Sequence, residues 1–176
     1  CDVDLDGKQC QKVLSKYPDA KRFRDFRELF EKYGSHFDAV CASVPDHIHF
    51  PISMMAIKYG KHVYVEKPIT RTFQEAELLI EAAKKNPKVV TQVGNQGHSE
   101  ANYFQFKAWM DAGIIKDVTA VTAHMNNSRR WHNFDSNMYK FPDADPLPKD
   151  MDWLTWLGAC QYHDYSEKFH QGNWRC

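Results

Sequence analysis

The chain has 176 residues, 43% of them hydrophobic and 26% charged, a size and composition that suit a globular domain with a sizeable core. Lys plus Arg number 23 and Asp plus Glu number 23, so no excess charge is available to attract nucleic acid or an anionic membrane surface, and a small, weakly charged substrate is the expected partner. No run of about twenty apolar residues is present and the N-terminus lacks the basic and apolar regions of an export signal. Five cysteines, Cys1, Cys10, Cys41, Cys160 and Cys176, form no C-x-x-C pair, which points to reduced thiols in a cytoplasmic protein rather than a disulfide framework or structural zinc. Cys1 does not look like a natural start, so periplasmic export stays as the alternative.

From Gln9 to Tyr17 the residues Cys10, Val13, Leu14 and Tyr17 recur at i, i+3, i+4, i+7, predicting a helix with one buried stripe. A second helix is predicted from an Asp25 cap through Tyr33, ended by Gly34, followed by a short buried strand over Phe37 to Ser43. Pro51 is expected in the first turn of the next helix, with Ile52, Met55, Ala56 and Tyr59 on one face and Gly60 at its C-terminus. The pattern repeats with a strand over His62 to Val65, a helix from Thr72 bearing Ala76, Leu79, Ile80 and Ala83, and a strand over Val89 to Val93. A helix from about Asn102 to Ala112, with Tyr103, Phe106 and Met110 as core, leads to an expected strand over Val118 to His124. Alternating strands and amphipathic helices mean right-handed βαβ crossovers and an α/β fold whose doubly wound parallel sheet is covered on both faces. Beyond Asn126 comes a loop-rich stretch, then a short helical phrase, Trp153 to Gly158.

Four polar clusters fall at predicted strand C-termini, the edge where open α/β sheets bind ligands. Asp2 precedes a helix and is the candidate to accept hydrogen bonds from ribose hydroxyls; for Asp4 and Asp6 a helix cap is the simpler reading. The loop Ser43-Val44-Pro45-Asp46-His47-Ile48-His49 is placed to line a cofactor cleft, and its H-x-H pair is weak as a metal site. In Glu66-Lys67-Pro68, a lysine partly buried at the mouth of the sheet and close to a carboxylate can exchange a proton with a substrate hydroxyl, against the blander reading of a surface ion pair. Gly94-Asn95-Gln96-Gly97-His98 offers amide and imidazole groups able to hydrogen-bond an amide ring or sugar hydroxyls, or simple turn chemistry. Arg129, Arg130, Trp131 and His132 suit either a sugar site or a subunit contact.

Taken together, Asp38-Ala39-Val40, Pro45-Asp46-His47-Ile48-His49, Gly60-Lys61-His62-Val63 and Glu66-Lys67-Pro68 resemble the glucose-fructose oxidoreductase/inositol dehydrogenase/MocA family of NAD(P)-dependent oxidoreductases, over Cys1 to about Asn126. The resemblance implies a Rossmann-like dinucleotide-binding domain over residues 1–126, lacking its first βα unit, and the start of a second, α+β substrate domain over 127–176. It implies NAD as cofactor, with NADP as the alternative. Asp2, Ser43, Val44, Pro45, His49, Glu66, Lys67, Asn95 and Gln96 would bind the cofactor, Lys67 would be catalytic, and His98, Arg129 and Trp131 would face the substrate; no metal is expected. The family's Gly-rich phosphate turn would precede Cys1, since no G-x-G-x-x-G occurs. The stretches Gly94 to Ser99, Asn126 to His132 and Trp153 to Gly158 look most like sugar-acting bacterial branches, NAD-dependent glycosidases included. The expectation is hydride transfer between a sugar or polyol hydroxyl carbon and nicotinamide in a homo-oligomer, with an NAD-dependent glycosidase or a non-catalytic NAD-binding module as alternatives.

Overall fold

A computed structural model describes residues 1–124 and 140–169. The chain divides into two compact units, Cys1–Gly94 with Pro142–Ser166, and Asn95–Phe141 with Glu167–Cys176.

In the first unit the helices are α1 (Lys8–Leu14), α2 (Phe26–Tyr33), α3 (Asp46–Lys58) and α4 (Phe73–Lys85), and the strands are β1 (Ala39–Ala42), β2 (His62–Val65) and β3 (Thr91–Val93). The strands pair in the order β1-β2-β3, all parallel, with Ala42 opposite Val65 and Val65 opposite Val93. This is the α/β arrangement that the alternating pattern predicts. Local chemistry sets the helix ends. The Asp25 carboxylate accepts from the Arg27 N–H at 2.8 Å, and the Thr72 hydroxyl accepts from the Glu75 N–H at 3.2 Å. Gly60, at φ +67°, closes α3 in a left-handed conformation that a side chain would resist.

The core gathers Phe30 from α2, Ile48, Ile52, Ala56 and Ile57 from α3, Ala42, Val63 and Val65 from the strands, and Leu79 from α4. Its pattern explains the strands: in β2, Val63 and Val65 are buried while His62 and Tyr64 are not. Within this unit, Cys41 and Tyr64 lie side by side on the other, exposed face of the sheet.

Two helices differ from the periodicity. α1 forms, yet none of its residues is buried: Val13 and Tyr17 are mostly exposed and only Cys10 and Leu14 of its stripe are half-buried. α3 begins at Asp46, a turn before the expected start, with Pro51 in its interior. Burial of His47, Ile48 and His49 in that added turn outweighs the interior proline, which costs a helix about 3 kcal/mol.

The segment Pro142–Ser166 packs with the first unit. Its helix α5 (Trp153–Leu157) is capped by Asp152, whose carboxylate accepts from the Thr155 N–H at 3.0 Å. The Asp152 N–H donates to the Val3 carbonyl at 3.0 Å. Trp153 stacks on Trp156 with ring centroids 4.5 Å apart, and its indole N–H donates to the His163 carbonyl at 2.8 Å. Gly158 ends the helix at φ +58°, and a Cβ there would collide with Ile48 Cδ1. The predicted phrase from Trp153 to Gly158 thus forms as a short helix with a glycine end.

The second unit contains a 3-10 turn, Gln96–Ser99, and a helix of α form, Ala101–Asp111, here α6. Two expectations are corrected in it. Tyr103, Phe106 and Met110 are not core, since no residue of α6 is buried. Residues 118–124 form no strand; Val118 and Val121 are exposed, and β-propensity yields a strand only where a neighbour pairs with it.

Candidate functional site

The sheet brings Ser43, Val44, Pro45, Glu66 and Lys67 to the C-terminal ends of its strands, whereas Asp2 follows no strand among the described residues. β1 ends at Ala42, so Ser43, Val44 and Pro45 form the connection into α3, with Pro45 as its N-cap residue. β2 ends at Val65, and the Glu66 N–H continues its ladder by donating to the Ala42 carbonyl at 3.1 Å. Lys67 follows, exposed rather than partly buried as its position suggested, and is joined to Pro68 by a cis peptide bond.

His49 ties these two loops together. Its ring is buried, with Nε2 2.8 Å from the Val44 carbonyl oxygen and Nδ1 2.6 Å from the Pro68 carbonyl oxygen. His47, also buried, places Nε2 2.6 Å from the Trp156 carbonyl oxygen, and its ring meets that of Trp156 edge-on at 4.9 Å. Both imidazoles are thus engaged with main-chain carbonyls, and among the described residues no three His, Cys, Asp or Glu side chains are grouped to hold a metal. Burial holds His47 below the usual histidine range against the opposing pull of that carbonyl, and the Arg71 charge lowers it further.

Glu66 reaches back to Tyr64, whose hydroxyl donates to Oε1 at 3.4 Å. Partial desolvation and then the Glu66 charge push the Tyr64 phenol up. Gly94 leaves room beside this pair: a Cβ there would sit 2.5 Å from Glu66 Oε1 and 2.7 Å from the Tyr64 hydroxyl. The glycine keeps a cradle open at the strand ends.

Asp2 is exposed; its Oδ1 accepts from the Asp4 N–H at 2.9 Å, and its own N–H donates to Phe23 O at 3.0 Å. The cap reading for Asp4 and Asp6 does not hold, because the N-cap residue of α1 is Gly7 and no side chain caps the helix, and Asp6 instead pairs with Arg24 at 2.9 Å. Asp2 shares a cavity of about 330 Å³ with Ser43, Val44 and Pro45, and Thr155 and Trp156 line the same cavity. A volume of this size takes part of a dinucleotide, and a carboxylate able to accept from hydroxyls fits a ribose.

Asn95, Gln96 and His98 belong to the second unit, where they are exposed. The His98 N–H donates to the Asn95 carbonyl at 3.2 Å, and its ring stacks on Tyr103 at 5.0 Å. Arg129 and Trp131 lie outside the described residues. Sequence reasoning missed Tyr64, Thr155 and Trp156. The alternation of β2 placed Tyr64 on a face without saying that Glu66 would meet it, and nothing local links Trp156 to His47, 109 positions away.

The profile of an oxidoreductase family with an NAD-binding Rossmann fold matches residues 3–95. The chain is 27% identical over 157 residues to an inositol 2-dehydrogenase of Salmonella typhimurium, covering 88% of this chain and 45% of that protein. It is 28% identical over 161 residues to an inositol 2-dehydrogenase of Pseudomonas fluorescens, with 91% and 46% covered. The chain therefore spans less than half the length of these curated relatives. Among solved structures, an NAD binding oxidoreductase from Klebsiella pneumoniae superposes with a TM-score of 0.51 at 30% identity, over 62% of this chain and 28% of that one. A myo-inositol 2-dehydrogenase from Lactobacillus plantarum shares the fold, with a TM-score of 0.58 at 22% identity over 63% and 32%. With its profile match, its parallel sheet and its polar strand ends, the chain belongs to the Gfo/Idh/MocA oxidoreductase family, whose Rossmann fold binds NAD.

Proposed function

We propose that the full polypeptide is an NAD(P)-dependent dehydrogenase acting on the CH–OH group of a sugar or polyol, cyclitols of the inositol type included. One observation carries the reading: Lys67 directly follows a strand end at which Glu66 extends the ladder and His49 holds the Pro68 carbonyl. The relatives' names support the substrate class, since two of them are inositol 2-dehydrogenases. When bound, NAD supplies the hydride acceptor.

In this reading the Lys67 side chain would bind the substrate hydroxyl and help to move its proton, and NAD, when bound, would accept the hydride from the carbon that bears that hydroxyl, so that alcohol becomes ketone. Asp2 accepts from the adenosine ribose. Ser43, Val44, Pro45 and His49 shape the cofactor loop, and Glu66, Asn95 and Gln96 stand by the nicotinamide. We assign His98, Arg129 and Trp131 to the substrate, residues 1–126 to the dinucleotide domain and 127–176 to the start of the substrate domain of a homo-oligomer, a start whose Pro142–Ser166 segment packs into the first unit. Among the described residues no helix is long and apolar enough to cross a membrane.

The test is a titration of the full-length protein with NAD and NADP, followed by a polyol, sugar and glycoside screen that reads NADH absorbance and aglycone release. Lys67→Ala is expected to lower kcat by about 10²- to 10⁴-fold while leaving NAD affinity nearly unchanged. Turnover that survives this change would remove Lys67 from the chemistry, and aglycone release without net NADH would replace the dehydrogenase with a glycosidase.

A further inference from the structure

We infer that the turn carrying Thr155 and Trp156 forms one wall of the adenosine pocket, with Trp156 a binding residue for the adenine end of the dinucleotide. The inference rests on the reading of Asp2 as the ribose acceptor given above. The turn is tied at both ends to the residues that flank that pocket. At its start the Asp152 N–H donates to the carbonyl of Val3, the neighbour of Asp2, at 3.0 Å. At its end the Trp156 carbonyl lies 2.6 Å from Nε2 of His47, in the first turn of the helix that Ser43, Val44 and Pro45 lead into.

Between these ties Thr155 and Trp156, each more than nine-tenths buried, line the same cavity as Asp2, Ser43, Val44 and Pro45. Arg24 and apolar side chains, Phe30, Val40, Ile48 and Ile52 among them, line the rest. A flat heterocycle suits a site with an indole and aliphatic walls, and a ribose suits its single carboxylate. The turn itself is rigid: Asp152 accepts from both the N–H and the hydroxyl of Thr155, at 3.0 and 2.7 Å, and Trp156 is stacked on Trp153. A wall already in place at binding loses little freedom when the ligand arrives.

The experiment measures ADP-ribose, NAD and nicotinamide mononucleotide binding to the full-length protein by calorimetry, which needs no turnover. Trp156→Leu is expected to weaken ADP-ribose and NAD about tenfold, the value of one aromatic wall, and to leave the mononucleotide unchanged. Leu154→Ala, on the exposed side of the same turn and away from the cavity, is expected to change none of the three. Hydrogen exchange of the unsubstituted protein gives a second reading that does not depend on a variant folding: ADP-ribose should protect the amides of residues 152–157. Equal ADP-ribose affinity in Trp156→Leu, or no protection of that segment, overturns the inference while the dehydrogenase reading stands. Failure of the unsubstituted protein to bind either NAD or ADP-ribose overturns both.

Discussion

The imidazole of His49 lies between two carbonyl oxygens, one from the loop after β1 and one from Pro68. Removing it leaves two part-buried carbonyls without this partner and opens a cavity where a buried ring stood. His49→Ala is expected to destabilise the protein by about 2–4 kcal/mol, read as a lowered urea midpoint; an unchanged midpoint would mean that both carbonyls find other donors. His47 makes a pH-dependent case. Because burial lowers its folded-state value below 6.5, the unfolded chain binds the proton first as pH falls. Stability is therefore full above pH 6.5 and is lost progressively below it, down to the folded-state value. His47→Gln should flatten this part of the profile, measured as the urea midpoint at stepped pH; a variant with the same slope as the unsubstituted protein would assign the slope to other groups. At this scale the polar clusters were legible, since Lys67 and Ser43 to Pro45 stand at strand ends as the alternation required. Their partners were not, because side-chain bonds such as His49 to Pro68 depend on how two loops meet.

Elements with both a cap and a buried face were legible to within a residue or two. The helix Phe73–Lys85 shows why: Thr72 caps it, Leu79 enters the core, and a basic pair closes its last turn. Thr72→Ala should cost about 1 kcal/mol and lower the thermal midpoint, whereas Thr72→Ser should cost little. Elements with only one of these signals were read less well. Residues 118–124 have strand composition but pair with no strand among the described residues, and α3 begins where tertiary burial, not Pro51, decides. Apolar spacing states which side of a segment would be buried, and only packing decides whether a neighbour arrives to bury it.

Over the whole molecule the charges balance, and four ion pairs of the described residues join residues four positions apart with their cations exposed, while Asp25 and Glu75 are the more covered carboxylates. Such pairs contribute little and are screened by salt. Raising sodium chloride from low to about 0.5 M should therefore change the unfolding free energy by less than about 1 kcal/mol; a larger fall would reveal a buried electrostatic network. The same scale frames the contact between His47 and the Trp156 carbonyl, which joins residues 109 positions apart. A ribosome adding about 5–20 residues per second releases β1, β2 and β3 well before Trp156 leaves the exit tunnel. During that interval the strands can pair, but His47 has no Trp156 to meet and Val3 no Asp152. The first unit of the nascent chain is thus completed late, by its own distant continuation rather than by the residues that immediately follow it.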